Sequence, residues 1–445
     1  MTYAVCADVG STFTKVAVVD LAGGGLIGSA SGPTTVGSDV LRGLDAAVAA
    51  ATAGLGRSDV PWLVCSSAGG GLRLAVVGYE ELVTAQAGAR VGLSAGARVV
   101  HVSAGRLDAA GVSALRAARP DVVLLVGGTD GGDAEVLVGN AGRLARARWR
   151  VPVVVAGNVD VRDEVVAVLA GRGVPVSAAD NVLPRIGVLA PGSARAAIRE
   201  VFLRHVIGGK RLSRGPRFGA LVRAATPDAV LTGVEALAGQ VGGDLLVVDV
   251  GGATTDVYSV LTPDERATGP GREVAGTWWR ARTVEGDLGM RWSAPGVVAA
   301  AGLERLLAPG EGDGLAVAAA ALAADPSTLV GAGGAVDRRI AELAVTVALR
   351  RHARGGGRGE RGARDLRDVR LVVGSGGVLR HGVAGAGAGV LAAALADHAG
   401  GWAVPRAPRT VVDVDYVLAA AGLLAEGFPV AAAGLLRGLA GTPDR

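Results

Sequence analysis

Two aspartates, Asp8 and Asp249, each close an apolar stretch and each open an Asp-Val-Gly step. The steps are Asp8-Val9-Gly10-Ser11-Thr12 and Asp249-Val250-Gly251-Gly252-Ala253-Thr254. A carboxylate at such a place is a hard oxygen donor suited to Mg²⁺, usually through water because that ion gives up its hydration shell reluctantly. The glycines and hydroxyls that follow, Gly10, Ser11, Thr12 and Gly251, Gly252, Thr254, permit a tight turn. Backbone N–H groups and Thr side chains in such a turn wrap phosphate oxygens. Lys15, just beyond the first turn, reads either as a point charge for a phosphate or as a lysine at a hairpin edge. A third glycine cluster, Gly374-Ser375-Gly376-Gly377, follows the apolar Leu371–Val373. Its lack of side chains lets a purine and ribose lie against backbone. Each motif alone is weak; their order in one chain points to a nucleotide clamped between two halves. If a nucleoside triphosphate bridges the two turns, Asp8 would hold hydrated Mg²⁺, and Asp249, or a water it orients, would activate hydrolysis.

The elements that must position these residues follow from apolar periodicity. Strands are expected at Tyr3–Asp8, Lys15–Asp20 and Leu26–Ala30, a helix near Ser38–Leu55, and a strand at Trp62–Ser66. Strands at Arg98–Val102, Val122–Val126, Val153–Ala156 and Val174–Ser177 then alternate with helical patterns at Leu107–Ala118, Glu135–Ala147 and Arg162–Ala170. Such alternation predicts a parallel sheet with crossover helices. After a helix at Ala194–Val206, the second half restarts with a helix near Pro227–Ala238 and strands at Leu245–Asp249 and Thr255–Leu261. Helices near Val297–Leu307 and Val336–Arg354 and a strand at Arg370–Gly374 follow. The fold class is α/β, and the phosphate hairpin occurs twice, as in a duplicated architecture. The division expected is 1–95, 96–190 as an inserted α/β region, 191–430, and a terminal tail 431–445.

A chain of 445 residues accommodates two or three domains. Its 45 basic residues against 41 acidic ones leave a mild +4, too little to mark a nucleic-acid partner. Cys6 and Cys65 lie in separate apolar strands; without ligand-like spacing they argue against an iron–sulfur ATPase. No apolar run reaches the length of a membrane span and the first strand starts by Tyr3, so a cytoplasmic protein is expected. The arginines between Arg350 and Arg370 read as a solvated loop.

The three glycine motifs together resemble the phosphate 1, phosphate 2 and adenosine motifs of the actin-like ATPase superfamily, which includes sugar kinases, Hsp70-type chaperones and actin. That resemblance implies two ribonuclease-H-like subdomains closing on Mg-ATP, with Asp8 and Asp249 near the metal. Longer stretches, Cys65–Leu72, Leu124–Gly132, Ala156–Asn158, Asp180–Pro184, Thr283–Arg291 and Asp413–Leu424, resemble the MutL or GlmL family, accessory proteins of coenzyme-B12-dependent glutamate mutase. The resemblance implies an adenosylcobalamin mutase as partner and an ATP-driven reactivating chaperone that helps exchange damaged cofactor. Glu285 and Asp287, beside Arg282 and Arg291 and flanked by Trp278, Trp279 and Trp292, could contact metal, stabilise cleft closure or form an ion-paired loop. A role at or near the cleft is favoured, with Glu285 on the cofactor. A small-molecule kinase using the same cleft, or a scaffold that binds ATP without hydrolysing it, are the rival readings.

Overall fold

The structure is a computed structural model describing residues 2–56, 60–69, 72–80, 85–95, 97–186, 188–208, 212–262, 279–325, 334–355, 364–381, 385–398 and 400–441. The first third runs β1 (Tyr3–Val9), β2 (Phe13–Asp20), β3 (Leu26–Pro33), α1 (Val40–Ala51), β4 (Trp62–Ser66), β5 (Arg73–Gly78), α2 (Gln86–Ser94), β6 (Arg98–Ala104), α3 (Ala109–Ala117), β7 (Val122–Leu125) and α4 (Glu135–Arg146). Next come β8 (Val153–Val155), α5 (Arg162–Ala170), β9 (Val176–Ala178), α6 (Gly192–Val201), α7 (Arg217–Leu221), β10 (Val222–Ala225) and α8 (Thr226–Val241). The remainder is β11 (Leu245–Val250), β12 (Thr255–Leu261), β13 (Trp279–Glu285), α9 (Ala294–Leu303), α10 (Glu311–Ala324), α11 (Ala335–Arg354), β14 (Leu371–Ser375), α12 (Gly377–Arg380), α13 (Ala386–Leu395), β15 (Arg409–Val412), α14 (Val417–Leu424) and α15 (Pro429–Ala440).

Among the described residues there are three five-stranded sheets, and two of them are built alike. The first has the order β10-β4-β1-β2-β3 and the second β13-β12-β11-β14-β15. In each, an antiparallel three-strand meander is extended by two parallel strands on the far side of its first strand. This is the ribonuclease-H-like arrangement, present twice. The third sheet, β6-β5-β7-β8-β9, is wholly parallel and lies in sequence between β4 and β10 of the first.

All seven residues of β1 are buried, the mark of a strand covered on both faces rather than one. Val5, Ala7 and Val9 join a core with α1 and much of the inserted sheet. Ala4 and Cys6 join another that also takes in β11, β12, α8 and α14. Helices α8 and α14 therefore fill the interior shared by the two lobes. Their backbones touch: a Cβ on Gly233 would lie 2.0 Å from the Leu418 carbonyl oxygen, and one on Gly422 1.8 Å from that of Ala229.

Several elements differ from the sequence expectation. Arg73–Gly78, not read as a strand, is an interior strand of the inserted sheet, and Val222–Ala225 returns the chain to the edge of the first. Residues read as a terminal tail carry α15, which packs on the Gly23–Gly24 turn. Of the arginines read as a solvated loop, Arg350, Arg351 and Arg354 instead form the last turns of α11, in line with the helix expected at Val336–Arg354, and Arg350 is buried between Asp397 and Glu304. Arg364 is also buried and donates to the His352 carbonyl. Arg358, Arg361 and Trp278 lie outside the described residues.

Candidate functional site

The two hairpin turns share one construction. Gly10 N–H donates to the Phe13 carbonyl at 3.1 Å and Gly251 N–H to that of Thr254 at 2.9 Å. Register pairs Asp8 with Lys15 and Val9 with Thr14 in one, Asp249 with Asp256 and Val250 with Thr255 in the other. Both threonines are fully buried. Thr14 shares a hydroxyl hydrogen bond with Thr34, while Thr255 donates to the Leu288 carbonyl. Among the described residues, the N–H groups of Ser11, Thr12, Gly252, Ala253 and Thr254 meet no protein acceptor. Those donors are what an anion would engage.

The second turn is fixed from outside by the segment after β13. Met290 N–H donates to the Gly251 carbonyl, Arg291 and Trp292 N–H to that of Gly252, and the Ser293 hydroxyl to that of Ala253. With its carbonyls tied on that side, the turn keeps its amides for another partner. Glu285 pairs in register with Thr255, next to this turn. Its carboxylate, however, takes an Arg351 N–H at 2.8 Å, and the same guanidinium also grips Asp287. Burial raises the Glu285 pKa and Arg351 opposes the rise.

The paired aspartates are not alike. Asp8, 4 % exposed, accepts hydrogen bonds from the Thr226 hydroxyl, the Cys65 thiol and the Tyr416 hydroxyl, the last at 3.1 Å, and lies 3.6 Å from Lys15 Nζ. Both of its oxygens are engaged. Asp249 accepts no hydrogen bond among the described residues. It keeps some solvent-accessible surface, yet desolvation of its carboxyl pushes the pKa up to about 6. Lys15 counters that rise, and Asp256, Asp8 and Asp413 add to it. Lys15 is thus the counter-charge for both strand-end carboxylates, one from each lobe.

On the second lobe, Gly374 and Ser375 end β14, and Ser375 stands beside Asp249 in register. Gly376 has φ +99°, and a Cβ there would sit 2.2 Å from the Val250 carbonyl oxygen, so only glycine fits. Gly377 opens α12, which ends at Arg380. A cavity of about 340 Å³ opens between the lobes, lined among others by Asp8, Lys15, Ser31, Arg380, His381 and Tyr416. That is within the range of small-molecule sites. Of the residues expected at the site, Asp8 and Lys15 line this cavity. Asp249 lies within electrostatic reach of both, while Gly10–Thr12, Gly251–Thr254 and Gly374–Gly377 are not part of the lining.

Tyr416, Thr226 and Arg380 were not singled out from the sequence. Tyr416 lies in the Asp413–Leu424 stretch, but nothing local betrays a bond to a carboxylate 408 residues away. The loop Gly127–Asp133 ends β7 of the inserted sheet and is tied internally: Asn181 donates to Gly128 and Asp130, and Asn158 to Gly132. Among the described residues no group of three or more His, Cys, Asp or Glu side chains is placed to hold a metal. Asp249, with free lone pairs, and the unpartnered turn amides nonetheless fit a hydrated Mg²⁺ with a polyphosphate, since that ion needs only one or two carboxylates. No helix among the described residues is long and apolar enough to cross a membrane.

Two ribonuclease-H-like sheets sharing interior helices, each carrying a hairpin turn of the same construction, define an α/β protein of the actin-like ATPase fold. The family model described as MutL protein matches residues 4–439, and the chain belongs to that family. Protein MutL of Clostridium tetanomorphum is 38 % identical over 309 residues, which span 67 % of this chain and 66 % of that relative, just under two thirds of its length. Among solved structures, a nucleotide-free acetone carboxylase is 15 % identical with a TM-score of 0.37, over 95 % of this chain and 70 % of that one. A ROK family glucokinase from Streptomyces griseus is 14 % identical with a TM-score of 0.32, over 97 % and 98 %. At such scores the likeness adds nothing to the topology read from the sheets themselves.

Proposed function

We propose that this protein is an ATP-dependent accessory protein that reactivates an adenosylcobalamin-dependent mutase, glutamate mutase first among the candidates. Membership of the MutL family supports the accessory role. The observation that carries the nucleotide reading is the convergence of two equivalent hairpins, whose strand-end aspartates share Lys15 as counter-charge. In this reading Gly10, Ser11, Thr12, Gly251, Gly252 and Thr254 take phosphate oxygens through backbone N–H and hydroxyl donors, and Gly374, Ser375, Gly376 and Gly377 take the nucleoside. Bound Mg-ATP supplies a terminal phosphate that ties one lobe to the other until it is cleaved. Asp249, with its raised pKa, holds hydrated metal or accepts a proton from the attacking water. Asp8 fixes Lys15 and, through water, the metal. Glu285 acts at one remove, by holding Arg351 beside the second turn. Opening and closing does work on a client only if the client binds the two forms unequally. Exchange of inactivated cobalamin is the work proposed.

Calorimetry with Mg-ATP, followed by phosphate release, tests the first part. Wild type should bind and turn over ATP, and Asp249→Asn should lose turnover. Recovery of activity by a mutase carrying inactivated cobalamin should require both this protein and ATP. Absence of adenine nucleotide binding would falsify the proposal. Phosphate transfer to a small hydroxyl compound would replace it by the kinase reading.

A further inference from the structure

Tyr416 is where the lobes and three charged side chains meet. Its hydroxyl donates to Asp8 Oδ2 at 3.1 Å. The same carboxylate oxygen faces Lys15 Nζ at 3.6 Å, and that ammonium stands 3.7 Å from the Tyr416 ring centroid, well inside cation–π range. Ring and carboxylate form two walls of one seat for the lysine. Arg380 approaches the ring as well, 5.0 Å from its centroid, but it is secured separately by the Val414 carbonyl. The Tyr416 backbone is left-handed, φ 55° and ψ 48°, a region that bulky side chains rarely adopt. It is held there at the start of α14, whose first amides, Val417 and Leu418, are capped by the buried Asp413. The ring wall of the seat therefore belongs to the second lobe, and the carboxylate wall and the lysine itself to the first.

We infer that Tyr416 is a positioning residue that seats Lys15 against Asp8, and that a polyphosphate releases the lysine from this seat. A phosphate competes for an ammonium with a stronger and less desolvated charge than an aromatic face offers. Once the lysine leaves, Asp8 keeps the Thr226 and Tyr416 hydroxyls as donors, so the lobe-to-lobe bond survives the exchange. The release step rests on the ATP reading above, whereas the seat does not.

The chain has two lysines, Lys15 and Lys210, which makes the test direct. Reductive methylation with ¹³C-formaldehyde labels both, and Lys15→Arg and Lys210→Arg assign the signals. Methyl protons over an aromatic face resonate upfield. The Lys15 signal should be upfield in wild type and in Tyr416→Phe, should return to the position of a free lysine in Tyr416→Leu, and should move downfield in wild type when Mg-ATP or inorganic triphosphate is added. A nuclear Overhauser contact between the Lys15 methyls and a tyrosine ring tests the seat in the unmutated chain, even if the Leu variant does not fold. A Lys15 signal at free-lysine position in wild type, or no such contact, overturns the seat. A signal unmoved while calorimetry records triphosphate binding overturns the release. If nothing binds, the ATP reading fails and the release with it, while the ligand-free spectra still decide the seat.

Discussion

Asp8 and Asp249 stand at equivalent register positions of equivalent hairpins, and their surroundings have driven them apart. Desolvation without a hydrogen-bond donor leaves Asp249 titrating near 6. Its folded pKa is raised, so at neutral pH the ionised group opposes folding. The cost is absent below the unfolded value near 4, grows as pH rises from about 4 to 6, and is complete above 6. Asp249→Asn should therefore stabilise the ligand-free protein at pH 7 by about 1 to 3 kcal/mol, two pKa units being the ceiling. The gain should vanish near pH 4 in urea titrations at the two pH values. The same variant should lose Mg-nucleotide binding, a trade of function for stability. Replacing Asp8 should have the opposite effect on stability, because its carboxylate is bonded. Removing it leaves the Tyr416 and Thr226 hydroxyls and Lys15 without their acceptor, so Asp8→Ala should destabilise by about 2 to 4 kcal/mol, below the fully buried limit because Lys15 is partly exposed. The same denaturation series checks it, and Asp8→Ala losing activity with undiminished stability would contradict the bonding described.

At the scale of elements, the contact that decides lobe geometry is the crossing of α8 and α14. Gly233 and Gly422 let the two backbones meet, and a Cβ at Gly422 would fall 1.8 Å from the Ala229 carbonyl oxygen. Gly422→Ala must push the helices apart and should cost about 1 to 3 kcal/mol or more, read as a lower urea midpoint. A wild-type midpoint would mean the crossing is looser than it looks. Nothing in the sequence announces this crossing, because helical glycines in apolar runs look alike whether or not a backbone approaches them. What was legible was local. The β1–β2 and β11–β12 hairpins show as apolar runs broken by Asp-Val-Gly, and the alternating strands and helices of the insert show as period changes. β5 was missed because Leu72–Gly78 follows directly on a glycine run and carries Arg73, and β10 because four residues are too few for a pattern. The helix expected at Val336–Arg354 holds, but its last arginines also read as the start of a solvated loop, because their acceptors, Asp397, Glu304 and Glu285, lie far along the chain. The site suffered in the same way: its glycines and aspartates were visible, but Tyr416 and Thr226 reach Asp8 only through the tertiary fold.

For the whole molecule, the inserted sheet is the piece whose allegiance matters. It leaves the first lobe after β4 and returns at β10, and Leu74, Val76, Val122 and Val154 belong to the same core as Val5, Val9 and Leu44 of that lobe. Toward the second lobe it offers α2, which lies against the edge strand β13, and Arg98, whose guanidinium approaches Gly286 beside the second turn. A continuous core resists shear, whereas a contact at a strand edge slides readily, so a cleft that closes on nucleotide should carry the insert with the first lobe and move it against the second. The chemistry of the chain makes this measurable. Its two cysteines are buried, and burial drives the Cys6 thiol up to about 12 and Cys65 well above the ordinary value, so neither competes for a thiol-directed label. Spin labels at Ser113→Cys on α3 and Val317→Cys on α10, both exposed, span insert and second lobe, while Ser113→Cys with Ala49→Cys on α1 spans insert and first lobe. Mg-ATP should shift the first distance distribution and leave the second where it was. A shift in the second pair alone would assign the insert to the other lobe, and two unchanged distributions at saturating nucleotide would remove the moving cleft on which any work on a client depends.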